Sequence, residues 1–410
     1  MRILIPNAYS WLNKGDAGIL IGMVKALRKE MPQAEITALS STPEIDRAAY
    51  KGHDIAVERN LLTIPPGHGK TAKILGSATG CAVAGWLHRL FGAKNATIQP
   101  YVDADLVVSC GGGFLNDDFG PAFLLQLYGI YFATLMGKPT VIYGQSIGPF
   151  RNRRYRALAR AVLKRVGLIT VREEVSAREV RAMGLDPIVT ADPAFLLPAV
   201  NRAEAQRLLA AEGVPLNEPL VGVTVRYWPF PGHKDGGQRF ERYLQTMAQT
   251  IDRLTERAVV VCMPQVIGPG KDDDRIVAER VCKKMKRGKG RVKLIAKDYA
   301  PEELKGMIGL MRLFVGTRMH SNLFAASMGV PVVAIGYNWK TEGIMDQVGQ
   351  GGYVCDIDRL EAEALWSKIE GAWDRREEIS RQLTEKVTGL KKRALLNARL
   401  TKDFWEGLSS

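Results

Sequence analysis

Residues 313–329 read Leu-Phe-Val-Gly-Thr-Arg-Met-His-Ser-Asn-Leu-Phe-Ala-Ala-Ser-Met-Gly, a pattern that predicts a short buried strand leading into a helix. The strand is expected to end at Gly316, which puts Arg318 and His320 in the first helical turn. The unpaired N–H groups of such a turn bind anions, and a guanidinium there adds a fork that matches phosphate or carboxylate. Pro331 then opens a second buried strand, so the charged turn is anchored in the core on both sides.

An ordinary structural role is the alternative for the polar residues of this turn. Thr317 can be a helix cap, Arg318 a surface charge and His320 a histidine with purely structural partners. All three, however, lie between a strand end and a helix start, where α/β sheets bind ligands. This placement favours a site in which Arg318 and His320 are catalytic and Thr317 contributes to binding.

Alternating strand and helix patterns run along the chain and predict an α/β fold with parallel, doubly wound sheets. A chain of 410 residues is long enough for two domains. We expect an N-terminal α/β domain at 1–200, a polar, proline-containing linker at 201–219, a C-terminal α/β domain at 220–375 and a helical tail at 376–410. The two Rossmann-like domains are expected to face a cleft, with the tail packed back on the first domain.

Loops at the ends of the predicted strands supply further candidates for substrate binding. Adjacent glycines after one strand allow a ligand to approach the backbone closely, although the spacing matches neither a Rossmann fingerprint nor a P-loop. For Asp16 two interpretations stay open, a helix cap or a substrate contact. The candidates are Asn13, Asp16, Gly112, Gly113, Asp117, Ser146, Arg172, Arg226 and Lys340.

The net charge of +14 fits a polyanionic partner or an anionic membrane surface. Two basic stretches, 151–165 and 283–293, carry much of the excess, and solvated helix faces are the alternative interpretation. We expect no nucleic acid, because the sequence lacks interleaved aromatic residues and a known reading motif. The acidic run 272–274 precedes a helix pattern, where capping explains it, and the five cysteines form no Cys-x-x-Cys pair. We assign neither a metal nor a cofactor.

Residues 70–92 combine a small, apolar middle with basic ends and an aromatic flank. The stretch is too polar and too rich in glycine for a transmembrane helix, which needs about 20 strongly apolar residues. It is either a helix packed on the sheet or an interfacial helix with Trp86 and Phe91 toward lipid and Lys73 and Arg89 toward phosphates. Because the sequence begins with a strand pattern and shows no signal segment, we expect a cytoplasmic protein that contacts the inner membrane face in the second case.

A set of short motifs resembles the polysaccharide pyruvyl transferase family, particularly its colanic-acid biosynthesis branch. Each motif is weak alone, but their order along the chain, as far as about residue 350, is specific. Residues 58–100 and the tail after 355 have no counterpart in the set. The motifs are Asn13-Lys-Gly-Asp-Ala-Gly-Ile-Leu, Gly111-Gly-Gly-Phe-Leu-Asn-Asp, Gly144-Gln-Ser-Ile-Gly-Pro-Phe, Val171-Arg-Glu, Asp192, Val315-Gly-Thr-Arg-Met-His-Ser, Tyr337 and Lys340.

The resemblance implies a fold like that of the two-domain GT-B glycosyltransferases, with the acceptor on the N-terminal domain and the donor on the C-terminal domain. It also implies transfer of pyruvate from phosphoenolpyruvate to a sugar diol as a ketal, during exopolysaccharide or cell-surface glycan biosynthesis. His320 is then the general acid/base, and Asp16 and Asp117 orient acceptor hydroxyls. The cations available to the donor's phosphate and carboxylate are Arg172, Arg226, Arg318 and Lys340.

Two other functions fit the same sequence. A GT-B glycosyltransferase that uses a sugar nucleotide is one, because a fold does not determine a function. A catalytically idle family member that binds a glycan is the other. Pyruvyl transfer is favoured because Arg172, Arg318, His320 and Lys340 fit a small dianionic donor, whereas no acidic residue is clearly placed for a ribose. Its acceptor would be a sugar or a lipid-linked oligosaccharide at the inner membrane.

Overall fold

The computed structural model describes residues 1–62 and 70–408, and the chain forms two compact units. Unit 1 comprises Met1–Trp11, Ile19–Leu196 and Lys391–Ser410. Unit 2 comprises Leu12–Gly18 and Leu197–Leu390. Both units therefore contain segments that are distant in sequence, and a short N-terminal piece belongs to unit 2.

Unit 1 is built on a parallel sheet. Its strands are β1 (Arg2–Ile5), β2 (Glu35–Ser40), β3 (Ala56–Arg59), β4 (Leu106–Ser109), β5 (Gly112–Leu115), β6 (Thr140–Ile147), β7 (Leu168–Val171) and β8 (Ile188–Val189). The order is β3-β2-β1-β4-β6-β7-β8, and β5 also pairs with β6. Because the chain adds β2 and β3 on one side of β1 and β4 on the other, the sheet is doubly wound.

Helices cover this sheet and bury its apolar strands. They are α1 (Lys14–Glu30), whose first residues belong to unit 2, α2 (Pro43–Tyr50), α3 (Lys70–Phe91), α4 (Gln99–Asp103), α5 (Pro121–Leu135), α6 (Arg153–Leu163) and α7 (Glu174–Arg181). Every residue of β4 and β6 is buried, as expected for parallel strands covered on both faces. Helix α5 contributes Phe123, Ile130 and Phe132 to the cores around them.

Unit 2 repeats the doubly wound arrangement. Its strands are β9 (Leu220–Thr224), β10 (Val259–Cys262), β11 (Val292–Leu294), β12 (Leu313–Gly316), β13 (Val332–Gly336) and β14 (Val354–Asp356). They are parallel in the order β11-β10-β9-β12-β13-β14. The helices are α8 (Arg202–Ala211), α9 (Gly236–Leu254), α10 (Asp274–Lys284), α11 (Pro301–Ile308), α12 (Met319–Ser327), α13 (Trp339–Gln347), α14 (Ala362–Asp374) and α15 (Arg376–Gly407), the last ending among residues of unit 1.

The expected fold class, two parallel-sheet α/β domains, is confirmed, and several local details differ from the sequence interpretation. The segment 201–219, interpreted as a linker, contains α8, which Asn201 caps and which packs against α11. Ser146, expected in a loop at a strand end, lies in β6, which continues to Ile147. Gly112 and Gly113, also expected in such a loop, begin β5.

The start of α1 also differs from the sequence interpretation, since Asn13 rather than Asp16 is the capping residue. Its Oδ1 accepts the N–H groups of Gly15 and Asp16 at 3.2 and 3.4 Å. Asp16 lies in the first turn. Across 1–62 and 70–408, no helix combines the length and apolarity needed to cross a bilayer.

Candidate functional site

The carboxyl ends of β9 and β12 are neighbours at the point in unit 2 where the strand order reverses. Doubly wound sheets bind ligands in the crevice beyond such a point. Arg226 lies in the loop after β9, and Thr317 and Arg318 directly follow β12. Residues from two predicted strand ends therefore come together at this switch point.

Hydrogen bonds between buried groups hold the turn from β12 into α12. The Thr317 N–H donates to the carbonyl of Thr224 at 3.0 Å, and its hydroxyl pairs with that of Tyr243 at 2.8 Å. The Asn322 side chain donates to the carbonyl of Gly316 at 3.0 Å. Burial raises the pKa of Tyr243 to about 12, so this phenol stays neutral. Thr317 is fully buried, and its hydroxyl therefore shapes the turn from inside.

Arg318 is the N-cap residue of α12, and its guanidinium is paired with Asp274 at the start of α10. Its Nε lies 3.1 and 3.2 Å from the two carboxylate oxygens, and Nη2 lies 2.6 Å from Oδ1. Asp274 also accepts the backbone N–H groups of residues 265 and 266 at 3.0 Å. Burial acts to lower the pKa of Arg318, but Asp274 outweighs it and the pKa is raised. The guanidinium is therefore charged and held in one orientation.

His320, in the first turn of α12, faces the start of α1. Its Nδ1 lies 3.9 Å from Oδ1 of Asp16, and Oδ2 of Asp16 accepts a hydrogen bond from Asn13 at 2.5 Å. A Cβ at position 15 would lie 2.5 Å from Cβ of His320, so only glycine permits this approach. The predicted residues Asn13, Asp16 and His320 thus form one cluster in which the carboxylate can orient the imidazole.

The N-terminal segment reaches this cluster because it pairs with the loop after β10. Asn13 forms an antiparallel bridge with Val266, and the Lys14 N–H donates to the carbonyl of Gln265 at 2.8 Å. The Lys14 side chain is fully buried, with Nζ 2.5 Å from a carboxylate oxygen of Asp298. Both contacts hold residues 12–18 in unit 2.

Arg226 differs from Arg318 in its partners. Its guanidinium lies over the rings of Trp228 and Tyr337, 5.0 and 4.2 Å from their centroids, and Nε donates to the carbonyl of Tyr227 at 3.1 Å. Among the residues that the structure describes, no carboxylate lies within ion-pair distance of Arg226. Burial lowers the pKa of Arg226, and the positive charge of Arg318 acts in the same direction. Arg226 is therefore a half-buried cation suited to an anionic ligand.

Lys340 lies in the first turn of α13, after the next strand of the same sheet edge. Its side chain is buried, and Nζ lies 5.8 Å from the ring centroid of Trp339. The carboxyl ends of β9, β12 and β13 are consecutive in the sheet, and each is followed by a predicted cation.

In unit 1, Arg172 follows β7 and is only 1% exposed. Its Nη1 pairs with Asp192, and its Nε donates to the hydroxyl of Ser146 at 2.7 Å and contacts Glu173 at 3.2 Å. The Ser146 hydroxyl donates to Glu173 at 2.9 Å. Because two carboxylates neutralise the buried guanidinium, this geometry favours a structural role for Arg172 and Ser146 over the ligand contacts expected from the sequence.

The predicted glycines of unit 1 accommodate a side chain of the protein itself. Gly112 has φ +131°, and a Cβ there would lie 2.2 Å from the hydroxyl oxygen of Tyr9, which accepts the N–H of Gly113 at 3.2 Å. Asp117 accepts the backbone N–H groups of residues 151 and 152 at 2.7 Å and lines an open polar pocket beside α6. Of the unit 1 candidates, Asp117 therefore remains the best placed to contact a ligand.

Two important residues were missed in the sequence interpretation. Asp274 was assigned only to capping, and its pairing with Arg318 leaves no sequence signal because 44 positions separate them. Gly15 could have been noticed, because glycine in a helix costs about 1 kcal/mol relative to alanine and so calls for a local reason. In the described part of the chain, no three or more His, Cys, Asp or Glu side chains are arranged so that they could hold a metal ion.

An architecture of two doubly wound units is that of the GT-B glycosyltransferases and of the related epimerases. Solved structures with this fold align with the chain over nearly its whole length. HepE from Anabaena, in complex with UDP-glucose, aligns with a TM-score of 0.61 at 15% identity, covering 100% of this chain and 99% of its own. The UDP-GlcNAc 2-epimerase from Neisseria meningitidis, bound to UDP-GlcNAc, aligns with a TM-score of 0.62 at 12% identity, covering 98% and 99%. At such identities the likeness concerns the fold alone.

The family is more specific than the fold. The model of the polysaccharide pyruvyl transferase family matches residues 13–338, and the chain belongs to this family. The amylovoran biosynthesis protein AmsJ from Erwinia amylovora is 26% identical over 429 aligned positions, which cover 100% of both chains. The resemblance found in the motifs is thus confirmed, and the protein is a transferase.

Proposed function

We propose that this protein transfers pyruvate from phosphoenolpyruvate to a sugar diol as a ketal. The observation that carries the proposal is Arg226, a half-buried cation at the switch point of unit 2 without a carboxylate partner among the described residues. Phosphoenolpyruvate carries both a phosphate and a carboxylate and is best held by more than one cation. Arg318 disfavours the charged form of Arg226, and a bound dianion would relieve this repulsion.

The start of α12 completes the proposed donor site. Its first N–H groups and the positive end of its dipole favour an anion beside Arg318 and His320. Lys340, at the start of α13, adds a positive charge after the neighbouring strand β13. Arg172 is not part of this proposal, because Asp192 and Glu173 already neutralise it inside unit 1.

The proposed chemistry needs one acid/base group. His320 donates a proton to the methylene carbon of phosphoenolpyruvate, which becomes a methyl group while positive charge develops on the adjacent carbon. A sugar hydroxyl attacks that carbon, the bond to the bridging oxygen breaks, and phosphate leaves with the electron pair. A second hydroxyl then closes the ketal. One hydroxyl proton restores His320 and the other leaves with phosphate, so the reaction balances. Asp16, whose Oδ1 lies 3.9 Å from Nδ1, is placed to orient the imidazole for this transfer.

We further propose that the acceptor is a sugar unit of an exopolysaccharide or cell-surface glycan, presented free or lipid-linked in the cytoplasm. The role that the name of AmsJ gives to that protein, amylovoran biosynthesis, supports this class of acceptor. Asp16 is proposed to orient acceptor hydroxyls, and for Asp117 the open polar pocket of unit 1 supports a contact with a sugar hydroxyl.

Calorimetric titration tests the donor. Phosphoenolpyruvate is titrated into the wild type, Arg226→Ala, Arg318→Ala and His320→Ala, with UDP-glucose as the parallel ligand. We expect wild-type binding that is weakened by both arginine substitutions and largely kept in His320→Ala. Binding of UDP-glucose without binding of phosphoenolpyruvate would instead identify a sugar-nucleotide glycosyltransferase. Glycan binding with neither donor bound nor phosphate released, whether or not an acceptor is present, would identify an idle family member.

A further inference from the structure

Helix α3 exposes a stripe of large apolar side chains, which we call the α3 stripe: Val83, Trp86, Leu87, Leu90 and Phe91. Trp86 is 58% and Phe91 73% exposed. Their rings meet edge to face, with the ring centroids 6.4 Å apart. The spacing of the five residues puts them on one side of the helix. A contiguous apolar patch of this kind marks an interaction surface.

The opposite side of α3 is firmly packed within unit 1. Cys81 is buried, and a Cβ at Gly85 would lie 2.9 Å from the sulfur of Met136. The hydroxyl of Tyr128, on α5, donates to the carbonyl of Ala78 at 2.5 Å. The α3 stripe is therefore the outer face of a docked helix.

The segments that contain α3, α5 and α6 are basic. Helix α5 contacts both α3 and α6, and α5 and α6 each expose one leucine, Leu124 and Leu158. No Asp or Glu occurs between Glu58 and Asp103, or between Asp118 and Glu173, so α3, α5 and α6 carry no negative side chain. Among the side chains that the structure describes in these two segments, the exposed basic residues are Arg59, Lys73, Arg89, Lys94, Arg151, Arg153, Arg154, Arg160, Lys164 and Arg165.

We propose that α3 docks this protein on an anionic phospholipid bilayer, with the α3 stripe in the interface and the basic residues of α3 and α6 against lipid phosphates. The aromatic pair suits the interfacial region, and no described helix is apolar enough to cross the membrane. A second copy of the chain is a poorer occupant, because self-association would bring two surfaces of the same charge together. The inference goes beyond pyruvyl transfer and holds for any donor.

Vesicle flotation tests the inference. The full chain is mixed with phosphatidylcholine vesicles that either contain or lack phosphatidylglycerol, and the floated fraction is measured over a series of salt concentrations. We expect binding to the anionic vesicles that weakens with salt and falls at least about tenfold in Trp86→Glu/Phe91→Glu. The matched control is Leu216→Glu/Ile276→Glu, two exposed apolar residues of unit 2, which should float like the wild type.

Three outcomes would overturn the inference. They are equal flotation of both double variants, no binding of the wild type to anionic vesicles, and a concentration-dependent dimer in sedimentation that Trp86→Glu/Phe91→Glu abolishes. Circular dichroism and urea unfolding of the same variant show that it is folded. Because neither flotation nor this folding check depends on phosphoenolpyruvate, failure of the donor proposal and failure of the membrane proposal are distinguishable.

Discussion

The switch points of the two units have the same strand topology, but different side chains lie at their strand ends. In unit 1, Asn7 after β1 donates to the hydroxyl of Ser109 at 3.0 Å and accepts the N–H of Cys110 at 2.9 Å, while Tyr9 fills the space at Gly112. In unit 2, the corresponding strand ends carry aromatic rings, an ion pair and the half-buried cation Arg226.

This difference shows how a shared backbone can serve structure in one unit and binding in the other. The strand order creates a crevice in both sheets. In unit 1 the protein's own hydrogen bonds and the Arg172 ion pairs satisfy the polar groups. In unit 2 no carboxylate of the described residues pairs with Arg226, and we propose that a ligand neutralises its charge. We therefore expect substitutions at the unit 1 switch point to act on stability and those at the unit 2 switch point to act on binding and catalysis.

The largest effect is expected from His320→Ala. Loss of the general acid should lower kcat by about 10²- to 10⁴-fold, measured as phosphate release with phosphoenolpyruvate and an acceptor glycan. Affinity for phosphoenolpyruvate should change little, because the cations remain. His88→Ala is the control, since His88 lies on α3 in unit 1, with Nδ1 3.0 Å from the carbonyl oxygen of Ala93. Equal activity of the two variants would remove His320 from the mechanism.

The next largest effect is expected from Arg172→Ala, which should lower the free energy of unfolding. The substitution leaves Asp192 and Glu173 buried without their cation, which costs about 3–5 kcal/mol of unfolding free energy in comparable buried pairs. Urea unfolding of Arg172→Ala and Arg226→Ala makes the comparison, and Arg226→Ala should stay close to the wild type. If Arg172→Ala were as stable as the wild type but unable to bind phosphoenolpyruvate, Arg172 would belong to the donor site.

Arg226→Ala should lower the affinity for phosphoenolpyruvate by about 10- to 100-fold, the loss expected for a hydrogen bond to a charged group. Calorimetric titration measures it. Arg312→Ala is the control, because Arg312 is an exposed arginine at the amino end of β12, away from the strand ends that carry the site. If Arg226→Ala bound phosphoenolpyruvate as tightly as the wild type does, Arg226 would not belong to the donor site and the proposal would lose its main support.

A smaller effect is expected from Gly15→Ala, about tenfold in kcat/KM. The added Cβ would lie 2.5 Å from Cβ of His320, so the imidazole or the start of α1 must shift. Gly237→Ala is the matched control, because Gly237 also lies in a first helical turn of unit 2 and has open space at the Cβ position. Similar kinetics for both variants would show that the contact of Gly15 with His320 does not position the imidazole.

Much of the fold could be predicted because it rests on local patterns. Apolar runs of strand length, helical spacing and glycine or proline at their ends indicate parallel α/β units. The β12 to α12 turn followed the predicted course, with its strand ending at Gly316 and Arg318 at the helix start. The interpretation of 201–219 as a linker gave too much weight to its prolines. Leu208 and Leu209 are buried, so one side of α8 packs into the protein.

The candidate site was predictable only in part, because a side chain's role depends on its partners. Arg172 and Arg226 both follow predicted strands, yet Asp192 and Glu173 enclose the first, while the second contacts Trp228 and Tyr337. Periodicity places residues on an element, but it does not state which charges of other elements lie opposite.

The sequence by itself determined the α/β class, the family and the motif that holds Arg318 and His320, since these depend on residues close together in the chain. Only the tertiary structure decided that Asn13 to Asp16 belong with His320, that Asp274 orients Arg318 and that the α3 stripe faces outward. The reason is physical: ion-pair strength and solvent exposure are set by distances across the folded chain, and segments far apart in sequence determine those distances.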